Sequence, residues 1–214
     1  MSRHAVGASS CFVIAITGAS GAGKSTLVKA LLQILEDSGA ISFDEYDPRY
    51  VPTTKYPVNI TQWVNEGADP DLWETPQLVA DLHTLRNGQS ITLPKNKGVL
   101  QPTSFILLEE PFGRERTPMK NLVDFVIALD TPLEIALARR LLEIPDLPYF
   151  IEHPQESYPA LLQYLRNYLF HSSRELYLAV NARVYKNCDL ILDGRKPIDE
   201  LAENVAKMIR AVSM

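Results

Sequence analysis

Short unbroken apolar runs alternate along this chain with longer stretches in which apolar residues recur every three or four positions. A run bounded by turn residues reads as a buried strand, and the spaced pattern reads as one face of a helix. Residues 11–17 (CFVIAIT) form the first run. Residues 25–37 follow with Leu27, Leu31, Ile34 and Leu35 on one helical face, and Ser38-Gly39 is expected to end that helix. Residues 40–43 read as a second strand that stops at Asp44. Residues 75–87 are expected to be helical, with Thr75 as N-cap, Pro76 in the first turn and Gly88 beyond the end. Residues 90–93 read as a short strand, 104–108 as a buried strand ending at Glu109-Glu110, and 125–129 as another ending at Asp130. Thr131-Pro132 opens a helix to about Glu143, residues 158–184 are mostly helical in pattern, 190–192 is a last strand and 197–212 a final amphipathic helix.

This order predicts an α/β fold with a mainly parallel sheet and helices on both faces, in a single domain over 1–214. Residues 46–74 and 144–157 carry Pro and Asp with weak periodicity. Long excursions of this kind in a small domain are usually functional, so the first is read as a substrate loop and the second as a lid. Trp63 and Trp73 flank the first and either pack it down or line a pocket.

Between the first strand and the first helix lie Gly18, Ala19, Ser20, Gly21, Ala22, Gly23, Lys24, Ser25 and Thr26, which fit G-x-x-x-x-G-K-[ST]. The chemistry needs this layout. Glycines let the backbone wrap closely and aim N–H groups at anionic oxygens, and the helix that follows adds its positive end. Lys24 is positioned to reach the β/γ-phosphates of a nucleotide, and the Ser25 hydroxyl to ligate Mg²⁺. Strand, glycine loop and helix in that order are the context that the motif requires, and they make the fold class a P-loop NTPase.

Composition narrows the partners. The chain has 214 residues, 46% hydrophobic and 22% charged, with a formal net charge of −5, so it has no basic surplus and no nucleic-acid partner is expected. No apolar run reaches the length of a membrane span, and the short run after the N-terminus leads straight into the phosphate loop, which argues against a leader. Cys11 and Cys188 lie in apolar runs without a C-x-x-C or His neighbour, which reads as reduced thiols and a cytoplasmic setting. His4, His83, His153 and His171 have no metal-ligand spacing. A homo-oligomer is compatible with the sequence.

Ligands of open parallel sheets bind beyond the carboxyl ends of the strands, where Asp44, Glu109 and Asp130 fall. Asp44, on a strand expected to lie beside the loop-bearing strand, has the place of a base that orients an attacking hydroxyl. Glu109 has the place of the second Mg²⁺ acid; spacing alone does not separate it from Glu110. Asp130, before Thr-Pro, reads as a turn residue. Arg139 and Arg140 on the following helix are candidate cations for developing phosphoryl charge, with Arg174 and Arg183 weaker ones.

These residues together resemble the uridine kinase/phosphoribulokinase family, which also holds nicotinamide riboside and pantothenate kinases. The loop at 18–26 is similar to its G-x-S-G-x-G-K-[ST]-T, and ISFDEY at 41–46 to its "hydrophobic-S-x-D-x-F/Y" segment. DPDLW at 69–73, LLEEPF at 107–112 and VIALDTPLEIALARR at 126–140 resemble further family segments. The resemblance implies an ATP-dependent, Mg²⁺-requiring small-molecule kinase. It implies Asp44 as base for the acceptor hydroxyl, Tyr46 as a substrate-pocket residue, and Glu109 rather than Glu110 at the metal. Two departures stand out. Residues 93–100 (LPKNKGVL) lack the aromatic and the His with which uridine kinases read uracil, so uridine and cytidine are expected to be poor acceptors. Residues 141–165 contain no Lys or Arg, so the cations must come from Arg139, Arg140, Arg174 or Arg183.

The alternative is an ATP-binding kinase-like regulatory module without phosphotransfer, motivated by the arginine-free lid. A GTPase is disfavoured because NKGV at 96–99 lacks the Asp of Asn-Lys-x-Asp.

Overall fold

The computed structural model describes residues 11–47 and 55–213. Its strands are β1 (Phe12–Thr17), β2 (Ser38–Ser42), β3 (Ile91–Thr92), β4 (Val99–Leu100), β5 (Phe105–Glu109), β6 (Phe125–Asp130) and β7 (Leu190–Asp193). Its helices are α1 (Lys24–Ile34), α2 (Ile60–Asn65), α3 (Pro76–Arg86), α4 (Leu133–Glu143), α5 (Pro148–Glu152), α6 (Pro154–Phe170), α7 (Ser173–Val184) and α8 (Ile198–Val212). Five strands form one sheet in the order β2-β5-β1-β6-β7, every pair parallel, while β3 and β4 form a separate antiparallel hairpin.

Strand alternation sorts the core into two layers. Val13 and Ala15 of β1 join Leu78 and Leu82 of α3 and Val180 and Val184 of α7. Ile14 and Ile16 join Leu27 and Leu31 of α1 and Val205 and Ile209 of α8. Each aliphatic side chain fully removed from water in these layers contributes about 1.5–3 kcal/mol. Both faces of the sheet are therefore covered, and its carboxyl-end edge is left to carry the loops. The α/β P-loop arrangement read from the sequence is present.

Four boundaries differ from expectation. First, β5 lies between β2 and β1, so the strand that ends at Asp44 is one place removed from the loop-bearing strand. Sequence order does not encode this, because a crossover inserts the later strand. Second, α1 ends at Ile34 and Ser38-Gly39 begin β2 rather than closing the helix. The Ser38 hydroxyl still caps the helix by donating to the Leu35 carbonyl (2.6 Å). At Gly39 a Cβ would stand 2.6 Å from Leu100 Cδ1 of the hairpin, so a larger residue there would have to displace that side chain. Third, the long helical stretch is two helices, broken at Ser172, whose φ is +59°. Fourth, residues 144–157 are largely helical, with a single 3₁₀ turn (Ile144–Asp146), α5 and the start of α6. The long first excursion contains α2 and a 3₁₀ turn (Pro70–Leu72). Its residues 48–54, like His4, lie outside the described residues. Among the described residues no helix is long and apolar enough to cross a membrane.

Candidate functional site

The loop after β1 takes the backbone that its glycines permit. Gly18, Gly21 and Gly23 have φ of +145°, +79° and +104°. A Cβ on Gly21 would lie 2.0 Å from the Ala136 carbonyl oxygen, so α4 presses directly on the loop. The Thr131 hydroxyl donates to the Ala22 carbonyl (2.9 Å) and fixes the loop from the other side. The first-turn N–H groups of α1 have no partner within the helix, and no acidic residue sits in that turn to neutralise them. The result is a nest of donors with the positive end of α1 behind it.

Lys24 is half-buried and folds back, donating from Nζ to the carbonyls of Gly18 (3.0 Å) and Ala19 (2.9 Å). Burial pushes its ammonium below the usual lysine range, and the carboxylates of Glu109 and Asp44 pull it back up. The exposed Ser25 hydroxyl donates to Glu109 Oε2 at 2.8 Å. Parallel register brings them together, because Glu109 pairs with Ile16 one residue before the end of β1. Among the described residues no three His, Cys, Asp or Glu side chains gather as a cation cage. Two hard oxygen donors without a cage fit Mg²⁺, which keeps several waters and completes its shell from substrate phosphates.

Asp44 is exposed in a 3₁₀ turn (Phe43–Glu45) at the end of β2. The hairpin lies against this turn. Lys95 Nζ donates to the Asp44 carbonyl (3.2 Å) and Lys97 pairs with Glu45 (2.6 Å). Tyr46, which the resemblance implies as a substrate-pocket residue, is held by a core partner. It is buried, and its hydroxyl donates to Asp81 Oδ2 at 2.7 Å. Burial and that bond push its pKa well above the tyrosine range. A tyrosine next to a strand end is equally suited to wall and core, and the Asp81 partner thirty-five positions on decides for the core.

The arginines separate by role. Arg139 donates to the Gly194 carbonyl (3.0 Å) and lies at 3.5 Å from the Ala22 carbonyl. With Gly23, Thr26, Leu129 and Lys196 it borders a cavity of about 420 Å³ between the loop, α4 and the β7–α8 turn. Arg140 pairs with Glu143 (3.2 Å), and its Cβ lies 3.2 Å from where a Gly21 Cβ would stand. Arg183 donates to the Gly67 carbonyl (2.7 Å), and Arg174 stays exposed near Glu175, so neither is gathered at the loop. Tyr177 of α7 lies near Tyr164 and the loop residue Ser20, an approach that spacing did not signal, and burial pushes its hydroxyl above the usual tyrosine range. Asp130 accepts from the Tyr185 hydroxyl (3.1 Å), in keeping with a structural role.

Glu110 points the other way from Glu109. It is fully buried and pairs with Arg116 at 2.5 Å. Arg116 also donates to the Trp73 carbonyl (3.0 Å) and the Thr75 hydroxyl (2.5 Å). Thr75 sits at the N-cap of α3 as expected, but its oxygen serves Arg116 rather than the helix N–H groups. Arg116 had no sequence signal, because GRER carries no apolar period and reads as a solvated turn.

A family model described as ABC transporter matches residues 8–112, just under half of the chain and including the phosphate loop. A uridine kinase of Borrelia duttonii (strain Ly) is 28% identical over 140 residues, which cover 60% of this chain and 65% of that protein. A uridine kinase of Haemophilus influenzae (strain PittGG) is 28% identical over 149 residues, covering 62% and 68%. The chain thus spans about 65% of the length of the first relatives that it matches. A solved structure of a possible uridine kinase from Bacillus stearothermophilus superposes with a TM-score of 0.48 at 18% identity, over 86% of this chain and 89% of that one. Shikimate kinase from Acinetobacter baumannii superposes with a TM-score of 0.44 at 18% identity, over 95% of each.

Proposed function

We propose that this chain, which is similar to uridine kinases and carries a phosphate loop, is an ATP-dependent kinase that transfers the γ-phosphate to a hydroxyl of a small metabolite. The observation that carries the reading is the Ser25–Glu109 pair, set at the mouth of a glycine nest with Lys24 inside it and Asp44 on the next strand end.

The roles follow from chemistry. The loop N–H groups and Lys24 hold the β/γ-phosphates, which requires Lys24 to leave the Gly18 and Ala19 carbonyls. The cavity beside Arg139 is the place for the nucleoside part of ATP. Ser25 and Glu109 hold Mg²⁺, which screens phosphate charge when bound. Asp44 accepts the acceptor hydroxyl's proton and orients the oxygen for in-line attack. Arg140, next to Gly21 and within electrostatic range of Lys24, is the cation best placed for the transferring group. Residues 46–74 enclose the acceptor and 144–157 act as a lid. Tyr46, tied to Asp81, supports the acceptor loop from the core.

Acceptor identity is bounded by the hairpin, whose polar tip carries Lys95, Asn96 and Lys97 and no aromatic or His, so a pyrimidine nucleoside is a poor fit. One observation favours a second reading, a nucleotide-binding module without transfer: residues 141–165 hold no Lys or Arg. Incubation with γ-labelled Mg-ATP and a panel of hydroxyl compounds separates the two. Label that appears on an acceptor supports the kinase; nucleotide binding without labelled product supports the module.

A further inference from the structure

The turn after β5 contains an ion pair in a place where apolar side chains would pack. Glu110 and Arg116 are 0% and 2% exposed. The guanidinium lies over the rings of Phe43 (5.3 Å) and Phe112 (5.9 Å), and its Nε is buried without a hydrogen-bond partner. Replacing a buried pair of this kind by apolar residues is often neutral or stabilising, so core stability alone does not explain it.

The directions of its bonds do. Arg116 presents a planar fork with fixed vectors. One arm meets Glu110 Oε2 (2.5 Å), adjoining the metal-site Glu109. The other meets the Trp73 carbonyl and the Thr75 hydroxyl, where the acceptor loop returns to α3. Its face covers Phe43, the residue before Asp44. The next residue repeats the tie: Asp71 accepts from the Thr117 N–H and from its hydroxyl, both at 2.6 Å. The backbone N–H of Phe112 donates to Glu110 Oε1 (3.2 Å), which sets the carboxylate's angle.

We propose that Arg116, oriented by Glu110, is the positioning residue of the acceptor half of the site: it fixes the Trp73–Thr75 end of the acceptor loop relative to the Phe43–Asp44 turn. It does not touch the reacting atoms. Its effect is on where the loop stands when an acceptor arrives, so its loss weakens acceptor use and leaves the nucleotide half unchanged. The kinetic arm of this inference rests on the kinase reading; the spectroscopic arm does not.

The chain's two tryptophans, Trp63 and Trp73, both lie in this region and are 3% and 7% exposed, so their fluorescence reports the loop directly. The test compares wild type, Glu110→Leu/Arg116→Met, Arg116→Lys and Thr75→Val. The double variant removes both buried charges and is expected to melt at or above the wild-type temperature and to bind Mg-ADP within about twofold of it. Its acrylamide quenching constant should rise at least about twofold, and the KM of any acceptor that turns over at least about tenfold, with a smaller change in kcat. Thr75→Val, which deletes one hydroxyl, should shift both in the same direction. If the double variant is folded and keeps wild-type quenching and KM, the pair only fills the core and the proposal fails. If it does not fold, unchanged quenching in Thr75→Val and Arg116→Lys overturns the proposal equally. Wild-type protein that labels no acceptor removes the kinase reading, while the quenching comparison still decides this one.

Discussion

The Ser25 hydroxyl donates to the Glu109 carboxylate at 2.8 Å, across 84 positions of sequence. Two residues that each fit half of a metal site, one on a helix start and one on a strand end, are brought into contact by the parallel register of β1 and β5.

Ser25→Ala and Glu109→Ala should therefore each abolish most Mg²⁺-dependent turnover. Loss of one preorganised electrostatic partner costs about 10²–10³-fold, so steady-state ADP formation will resolve it. The fold should survive, because Ser25 is exposed and Glu109 only half-buried. Wild-type Mg²⁺ dependence in both variants would remove them from the metal site.

Glu110→Ala is expected to act through stability. The sequence reading places Glu109 rather than Glu110 at the metal, and the structure buries Glu110 against Arg116. Its removal, however, leaves the Arg116 charge buried and unpaired. Breaking such a pair costs about 3–5 kcal/mol, which a chemical denaturation curve will show as a large drop in midpoint. A midpoint close to wild type contradicts the burial account.

Much of the frame was legible because it is local. The apolar runs, the glycine loop and the helix starts depend on neighbours in sequence, and β1, α1, α3 and β5 stand within a few residues of their expected places. Glu109 was expected where ligands bind, at a strand end, and the structure places it against Ser25. What was not legible is tertiary. The position of β5 between β2 and β1 is a crossover choice, Tyr46 was drawn into the core by Asp81, and Arg116 became a buried hub through partners on three separate segments. The split at Ser172 rests on one left-handed residue that is not a glycine.

Lys24 is expected to make nucleotide binding pH-dependent. Burial lowers its folded-state pKa below the unfolded value of 10.5. Between the two, the unfolded chain holds the extra proton, so stability of the empty protein relative to Lys24→Met should rise with pH across that window. Nucleotide phosphates need the charged form, so Mg-ADP affinity should fall over the same range. Calorimetric titration and melting at a series of pH values below 10.5 measure both slopes, and the opposite sign in either contradicts the burial of Lys24.

Gly21→Ala should damage the loop itself. The new Cβ would stand 2.0 Å from a backbone carbonyl of α4 at a φ of +79°. Positive φ alone costs a non-glycine residue about 1–3 kcal/mol, and here α4 must also move. We expect a lower melting temperature together with loss of Mg-ADP binding. A variant with wild-type affinity would show that α4 does not press on the loop.

The most direct test of the central claim is acceptor-dependent transfer from γ-labelled Mg-ATP, measured for wild type and Asp44→Asn against a panel of hydroxyl metabolites that includes uridine and cytidine. The account predicts a labelled product with at least one acceptor, little with the two pyrimidine nucleosides, and a fall of about 10²–10⁴-fold in Asp44→Asn at nearly unchanged ATP affinity, since the amide keeps the shape but not the basicity. Nucleotide binding with no labelled product from any acceptor, or wild-type transfer by Asp44→Asn, would contradict it.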